Sequence, residues 1–119
     1  MNLASIRILS TDVPRLVAFY ERLIGAPARW VSPAFGAVPA GQTEVAVAGV
    51  ESLALGNTPG VAEPAANRSV YIEFLVDDVD AEFARIRESI VDEFVLEPTT
   101  MPWGNRSLFF RDPDGNLIN

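Results

Sequence analysis

Side chains able to do chemistry are scarce in this chain of 119 residues: it has no His, no Cys and no Lys, and all nine of its basic residues are Arg. That removes the commonest general base, the imidazole and thiolate metal ligands, and the amine nucleophile together. Any reaction would have to use carboxylates, Tyr, Ser, Thr, backbone dipoles or a borrowed cofactor, whereas binding needs only a shaped pocket. The densest carboxylate group, Asp77, Asp78 and Asp80, falls where a helix is expected to start, and negative charge there stabilises the helix dipole. Asp92 and Glu93 fall in an expected turn. No Gly-rich phosphate loop, nucleophile elbow or basic patch interleaved with aromatics is present. Among the aromatics, Trp103 stands between Pro102 and Gly104 and so belongs to a loop. Phe35 lies in the Pro/Gly-rich stretch 32–41, where it either closes over a ligand or anchors the loop. Trp30 falls in an expected strand, where packing is the default role.

A formal net charge of −7 argues against nucleic acid as a partner, because a phosphate-binding surface needs clustered cations. Acidity also weakens docking on anionic lipid and suits a cationic or neutral ligand. No stretch is long and apolar enough to span a bilayer, and residues 1–10 lack the pattern of a secretory signal. The expected partners therefore include neither nucleic acid nor membrane, and the expected location is the cytoplasm. The absence of Cys fits a reducing compartment.

The elements that must position these residues come in two similar runs. A strand over 3–10 leads into a helix reaching about residue 24, with Asp12 as cap, Pro14 in the first turn and Gly25 as the stop. Val13, Leu16, Val17, Tyr20, Leu23 and Ile24 make its apolar face. A second strand over 69–76 leads into a helix reaching about residue 90, capped by Asp78, with Val79, Phe83, Ile86 and Ile90 as its stripe. The runs are offset by 66 residues, so that Leu9, Asp12, Val13 and Ala18 correspond to Leu75, Asp78, Val79 and Ala84. Short strands are expected after the first helix at 28–31, 44–48 and 51–56, and after the second at 94–97, 106–111 and 116–119. The order is βαβββ twice, an α+β arrangement built from a repeated unit. The modules run over about 1–56 and 68–119 of a single domain, joined by a linker over about 57–67 rich in Pro, Ala, Gly and Asn. Strand alternation puts Ser5, Arg7 and Leu9 on one face of the first strand, and Tyr71, Glu73 and Leu75 on the equivalent face of the second. The offset makes Arg7 the counterpart of Glu73.

Asp12-Val13-Pro14-Arg15, then Ala18-Phe19-Tyr20 and Gly25, is similar to the opening of the glyoxalase/bleomycin-resistance/dioxygenase (vicinal oxygen chelate) superfamily. Phe74-Leu75-Val76-Asp77-Asp78-Val79-Asp80 resembles the start of its second module. Pro102-Trp103-Gly104-Asn105-Arg106, then Phe110-Arg111-Asp112-Pro113-Asp114-Gly115-Asn116, resembles its closing strands. The last five of these residues have the chemistry of a structural turn. The resemblance implies two βαβββ modules forming a curved mixed sheet whose concave face holds the ligand. In the superfamily's metalloenzymes, ligands come from the first strand, its second-module equivalent and the last strand, positions that carry over to Ser5, Tyr71 and Asn119. Where the family would place His, His and Glu, this chain has three neutral side chains, so no metal and no other cofactor is expected.

Two functions follow from the resemblance. The first is a metal-free binder of the bleomycin-resistance type, sequestering an antibiotic or metabolite on a face that offers Arg7, Phe35, Tyr71, Glu73, Trp103 and Asn119. In such relatives a Trp in a similar context lines the drug groove, although Trp103 equally fits a core or dimer interface. The alternative is a superfamily lyase, isomerase or dioxygenase acting without the usual metal site, with Glu73 as base and Arg7 or Tyr71 stabilising an oxyanion. Arg7 and Glu73 either pair in the cleft or reach solvent separately at its mouth. A homodimer is the expected assembly. The chain ends at Asn119, short of the family's usual last strand, which implies either a naturally short protein or a fragment.

Overall fold

A computed structural model describes residues 1–52 and 60–119 as two compact units, Met1–Ala66 and Asn67–Asn119. The first contains β1 (Ser5–Leu9), α1 (Val13–Ile24), β2 (Arg29–Ser32), β3 (Phe35–Ala40), β4 (Thr43–Ala48) and a 3₁₀ turn at Val50–Ser52. The second contains β5 (Tyr71–Ile72), α2 (Val79–Ile86), β6 (Phe94–Thr100), β7 (Arg106–Arg111) and β8 (Leu117–Ile118). Each unit is thus one βαβββ module, and the α+β repeat expected from the sequence is present.

The two sheets have the same topology. In the first the strand order is β1-β4-β3-β2, with β1 parallel to β4 and the other pairs antiparallel. In the second it is β5-β8-β7-β6, with β5 parallel to β8. The helix starts match as well. Asp12 accepts from Arg15 N at 3.1 Å and Asp78 accepts from Ala81 N at 3.0 Å, the same capping bond displaced by the same 66 residues.

Helix α1 ends at Gly25, whose φ of +77° suits a residue without Cβ and whose N–H donates to Glu21 O at 2.8 Å. Its apolar face is buried through Val13, Leu16, Val17 and Tyr20, joined by Phe19, which meets Tyr20 edge-on at 5.2 Å. The helix lies against β3 and β4. Helix α2 stops at Ile86, short of the expected residue 90. The Ile86 carbonyl takes both the Ile90 and Val91 amides at 3.1 Å, which closes the helix into turns. Beneath α2, Ile72, Ile86, Leu108, Phe110 and Ile118 form the core, and Phe94 packs edge-on against Phe83 at 5.1 Å.

Several strand expectations change. The Pro/Gly-rich stretch 32–41 contains β3, an internal strand of the first sheet, rather than a loop. Gly36 is needed there because a Cβ would sit 3.0 Å from Val17 Cγ2 and 3.3 Å from the Trp30 ring. Pro39 is tolerated because β2 pairs only as far as Ala37, which leaves Pro39 with β4 as its only strand neighbour among the described residues. Phe35 is therefore a strand residue. Of the strand expected over 51–56, residues 51 and 52 belong to the 3₁₀ turn and 53–56 lie outside the described residues, as does the linker's first part, 57–59. Strand β5 is shorter than 69–76 because its partner β8 is only two residues long. Bonds from Phe74 N to Asn119 O and from Asn119 N to Ile72 O carry the ladder one step further.

Candidate functional site

Each sheet has one face against its helix and one turned away from it, termed the open face, and register identifies the residues on the latter. In the first unit a Cβ on Gly36 would point at α1, so its neighbours Phe35 and Ala37 face away from the helix. Ala37 pairs with Ala46, and Ala46 with Arg7, making one row across the sheet. Phe35, Ala48 and Leu9 make the next row, and Pro39, Glu44 and Ser5 another. Ala37, Ala46 and Ala48 are fully buried, and Arg7 reaches across β4 to place its guanidinium 4.7 Å from the centre of the Phe35 ring. Arg29, opposite Ala37, reaches Glu44 at 3.2 Å. This open face is thus apolar at its floor and cationic at its surface.

In the second unit Ile72, Ile118, Phe110 and Phe94 share the helix side. Tyr71, Leu117 and Arg111 form the adjacent row and face the other way. Tyr71, half exposed, meets Phe109 edge-on at 5.9 Å. Glu73 accepts from Asn119 Nδ2 at 2.8 Å. Trp103 is on the turn between β6 and β7 and is 73% exposed.

The structure therefore brings Arg7 to Phe35 and Glu73 to Asn119, and gives Tyr71 a partner in Phe109. It leaves Trp103 largely in solvent. Arg7 and Glu73 belong to different units, and each has a partner within its own. Both lie on open faces, as alternation predicts. Trp30, expected to be a packing residue, is on edge strand β2 against Gly36 and remains 45% exposed.

The closing turn supports the second face. Asp112, 4% exposed, accepts from Asp114 N and Asn116 N at 2.9 Å and from Asn116 Nδ2 at 2.8 Å. That hydrogen bonding and the αL glycine at 115, with φ +84°, define the structural turn read from the sequence.

Residues 2–119 match the family model described as the Glyoxalase/Bleomycin resistance protein/Dioxygenase superfamily. The chain belongs to that superfamily. It is 30% identical over 122 residues to the uncharacterized protein YraH of Bacillus subtilis (strain 168), covering 99% of this chain and 95% of YraH. A superfamily member from Sphaerobacter thermophilus DSM 20745 is 28% identical with a TM-score of 0.71, covering 99% of this chain and 94% of its own. A glyoxalase/bleomycin resistance protein/dioxygenase from Nocardioides superposes with a TM-score of 0.81 at 20% identity, covering 99% and 80%, and shows the shared fold.

Within this superfamily member the sequence reading missed two cavities. One of about 420 Å³ opens at the start of α1, beside Thr11, Asp12 and Glu51. The other, of about 140 Å³, is in the second unit, where Arg68 and Arg111 line it with Ser69 and Tyr71. Alternation along β7 was the signal available for Arg111, since it puts that residue on the side of Ser107 and Phe109. Arg68 precedes its strand and carries no such signal.

Proposed function

We propose that the protein is a metal-free small-molecule binder of the bleomycin-resistance type, a cytoplasmic homodimer that sequesters an antibiotic or metabolite. The observation that carries this reading is the Arg7–Phe35 stack on the open face of the first sheet. Ser5, the position the resemblance assigns to the first metal ligand, is two residues from Arg7 on the same strand face, about 7 Å away. The Ser5 hydroxyl is a weak donor for a transition metal. Asn119 points its amide nitrogen at Glu73, so this pair spends donor on acceptor rather than presenting two oxygens. Each unit by itself offers groups suited to an organic ligand: a cation and an aromatic face at Arg7 and Phe35 in the first, and aromatic and polar groups at Tyr71, Glu73, Trp103 and Asn119 in the second.

Elemental analysis of the purified protein, followed by a thermal-shift screen of aromatic and drug-like compounds, tests the reading. The expected result is substoichiometric metal and a higher melting temperature with at least one compound. Stoichiometric zinc, nickel, manganese or iron would overturn the metal-free assignment. Turnover of a bound compound would favour an enzyme with Glu73 as base. Light scattering should give the mass of a dimer.

A further inference from the structure

We propose that the 140 Å³ cavity of the second unit is an oxyanion subsite that holds the carboxylate of a small aromatic acid. The proposal rests on the ligand-binding reading above and narrows it to a ligand class. The protein carries a net charge of −7, yet the lining of this cavity includes two arginines and no carboxylate. Even with Glu93 against Arg111, its local charge is therefore opposite to that of the whole chain, and a ligand group docked there responds to the local field first.

Both guanidiniums are anchored within the unit and keep donors for a ligand. Arg68 Nη1 donates to Asn67 O at 2.8 Å. Arg111 Nη1 donates to Gly115 O at 2.8 Å, and its Nε lies 3.5 Å from Glu93. A guanidinium has five N–H donors, so each arginine retains several. The forked geometry suits the two oxygens of a carboxylate. Ser69 and Tyr71, both hydroxyl residues, line the same space. Val70 and Leu117 complete an apolar wall, and the Tyr71–Phe109 pair offers ring edges to an aryl group. The volume equals that of four or five waters at about 30 Å³ each, enough for a carboxylate and the near part of a ring.

The loop carrying Arg68 is also held in place beforehand. Asn67 Oδ1 accepts from Ser69 N at 3.3 Å and Val70 N at 3.1 Å, while Asn67 Nδ2 donates to Val70 O at 2.6 Å. The same Nδ2 makes a long contact of 3.4 Å with Asn116 Oδ1, and Asn116 is gripped by Asp112. The closing turn thus supports the loop that presents Arg68. A site built in advance spends less of its binding energy on ordering.

Titration calorimetry on the full chain tests the assignment, with benzoate, phenyl phosphate, benzamide and benzylamine as probes. Benzoate should bind more tightly than benzamide, with benzylamine weakest. Arg68→Gln, a change on an exposed loop, should weaken benzoate roughly tenfold and leave benzamide unchanged. Arg22→Gln on α1 serves as a control for the loss of one charge and should leave benzoate unchanged. Phenyl phosphate binding more tightly than benzoate, with the same loss in Arg68→Gln, supports the oxyanion subsite and assigns it to a phosphate. Benzylamine or benzamide binding as well as benzoate, or benzoate indifferent to Arg68→Gln, overturns the proposal while the ligand-binding reading stands. If none of the probes binds and the thermal-shift screen also finds no ligand, both fail together.

Discussion

Replacing Asp112 with Ala should be among the most damaging single changes in the second unit. The carboxylate is buried and accepts hydrogen bonds from two backbone amides and from the Asn116 side chain. Bonds to a charged acceptor contribute about 1.5–3 kcal/mol each, and orphaned buried donors add to the loss. These bonds share one acceptor group, so they do not sum. Removing the buried charge returns part of the cost. The net expectation is about 3–4 kcal/mol, a large share of the roughly 5–15 kcal/mol available to a protein of this kind. Asp112→Asn gives a graded comparison. Its amide oxygen can still accept from Asp114 N and Asn116 N, but its NH₂ would face the Asn116 NH₂, which must rotate to restore a bond. That variant should lose about 1–2 kcal/mol. Urea unfolding followed by circular dichroism gives both values, with the slope checked for constancy. A loss below about 1 kcal/mol for Asp112→Ala would refute the claim that this carboxylate organises the turn. If Asp112→Ala does not fold, the Asn variant and Asn116→Ala still test the ranking. Asn116→Ala removes the side-chain bond to Asp112, with the long Asn67 contact, leaves the two backbone bonds in place and should fall between wild type and Asp112→Ala.

Gly36→Ala should destabilise the first unit by about 1 kcal/mol, read as a lower melting temperature. The new methyl meets Val17 Cγ2 at 3.0 Å, and a buried β-branched side chain in a helix has little rotamer freedom with which to yield. An unchanged or raised melting temperature would mean that Trp30 and Val17 move aside, and that close approach does not dictate the glycine. Asp80 pairs with Arg106, with Nη2 2.7 Å from Oδ1. Hydrogen bonding from Arg106 is the main cause holding the Asp80 carboxyl below its ordinary range. A depressed carboxyl stabilises above the unfolded value near pH 4 and loses that contribution as pH falls through the folded value. The gap in urea midpoint between wild type and Asp80→Asn should therefore be present at pH 6 and shrink below about pH 4. A gap independent of pH would show that the pair has no part in stability.

Much of this architecture is legible from neighbours within a few residues. Asp12 and Asp78 announce their helices because a cap acts on amides two or three positions away, and both make the expected bond. The apolar steps of α1 locate its buried face for the same reason. The strand at 106–111 is read correctly because alternation is local. Strand β3 is misread because its composition, rich in Gly, Ala and Pro, contradicts strand propensity. Its place is set by close packing of Gly36 under Val17 and by β4 alongside, neither visible in the stretch itself.

The candidate site divides along the same line. Alternation alone places Arg7, Tyr71 and Glu73 on open faces, and composition alone removes every imidazole, thiolate and amine from those faces. The partners of these residues come from elsewhere in the chain: Phe35 for Arg7, Asn119 for Glu73, and a cavity that joins Arg68 to Arg111. Sequence by itself determined the repeat, the helices and the inventory of available chemistry, since each is coded by identity or short-range spacing. Tertiary structure decided which of those groups meet. Sheet register and loop anchoring set distances between residues tens of positions apart, and no local pattern carries that information.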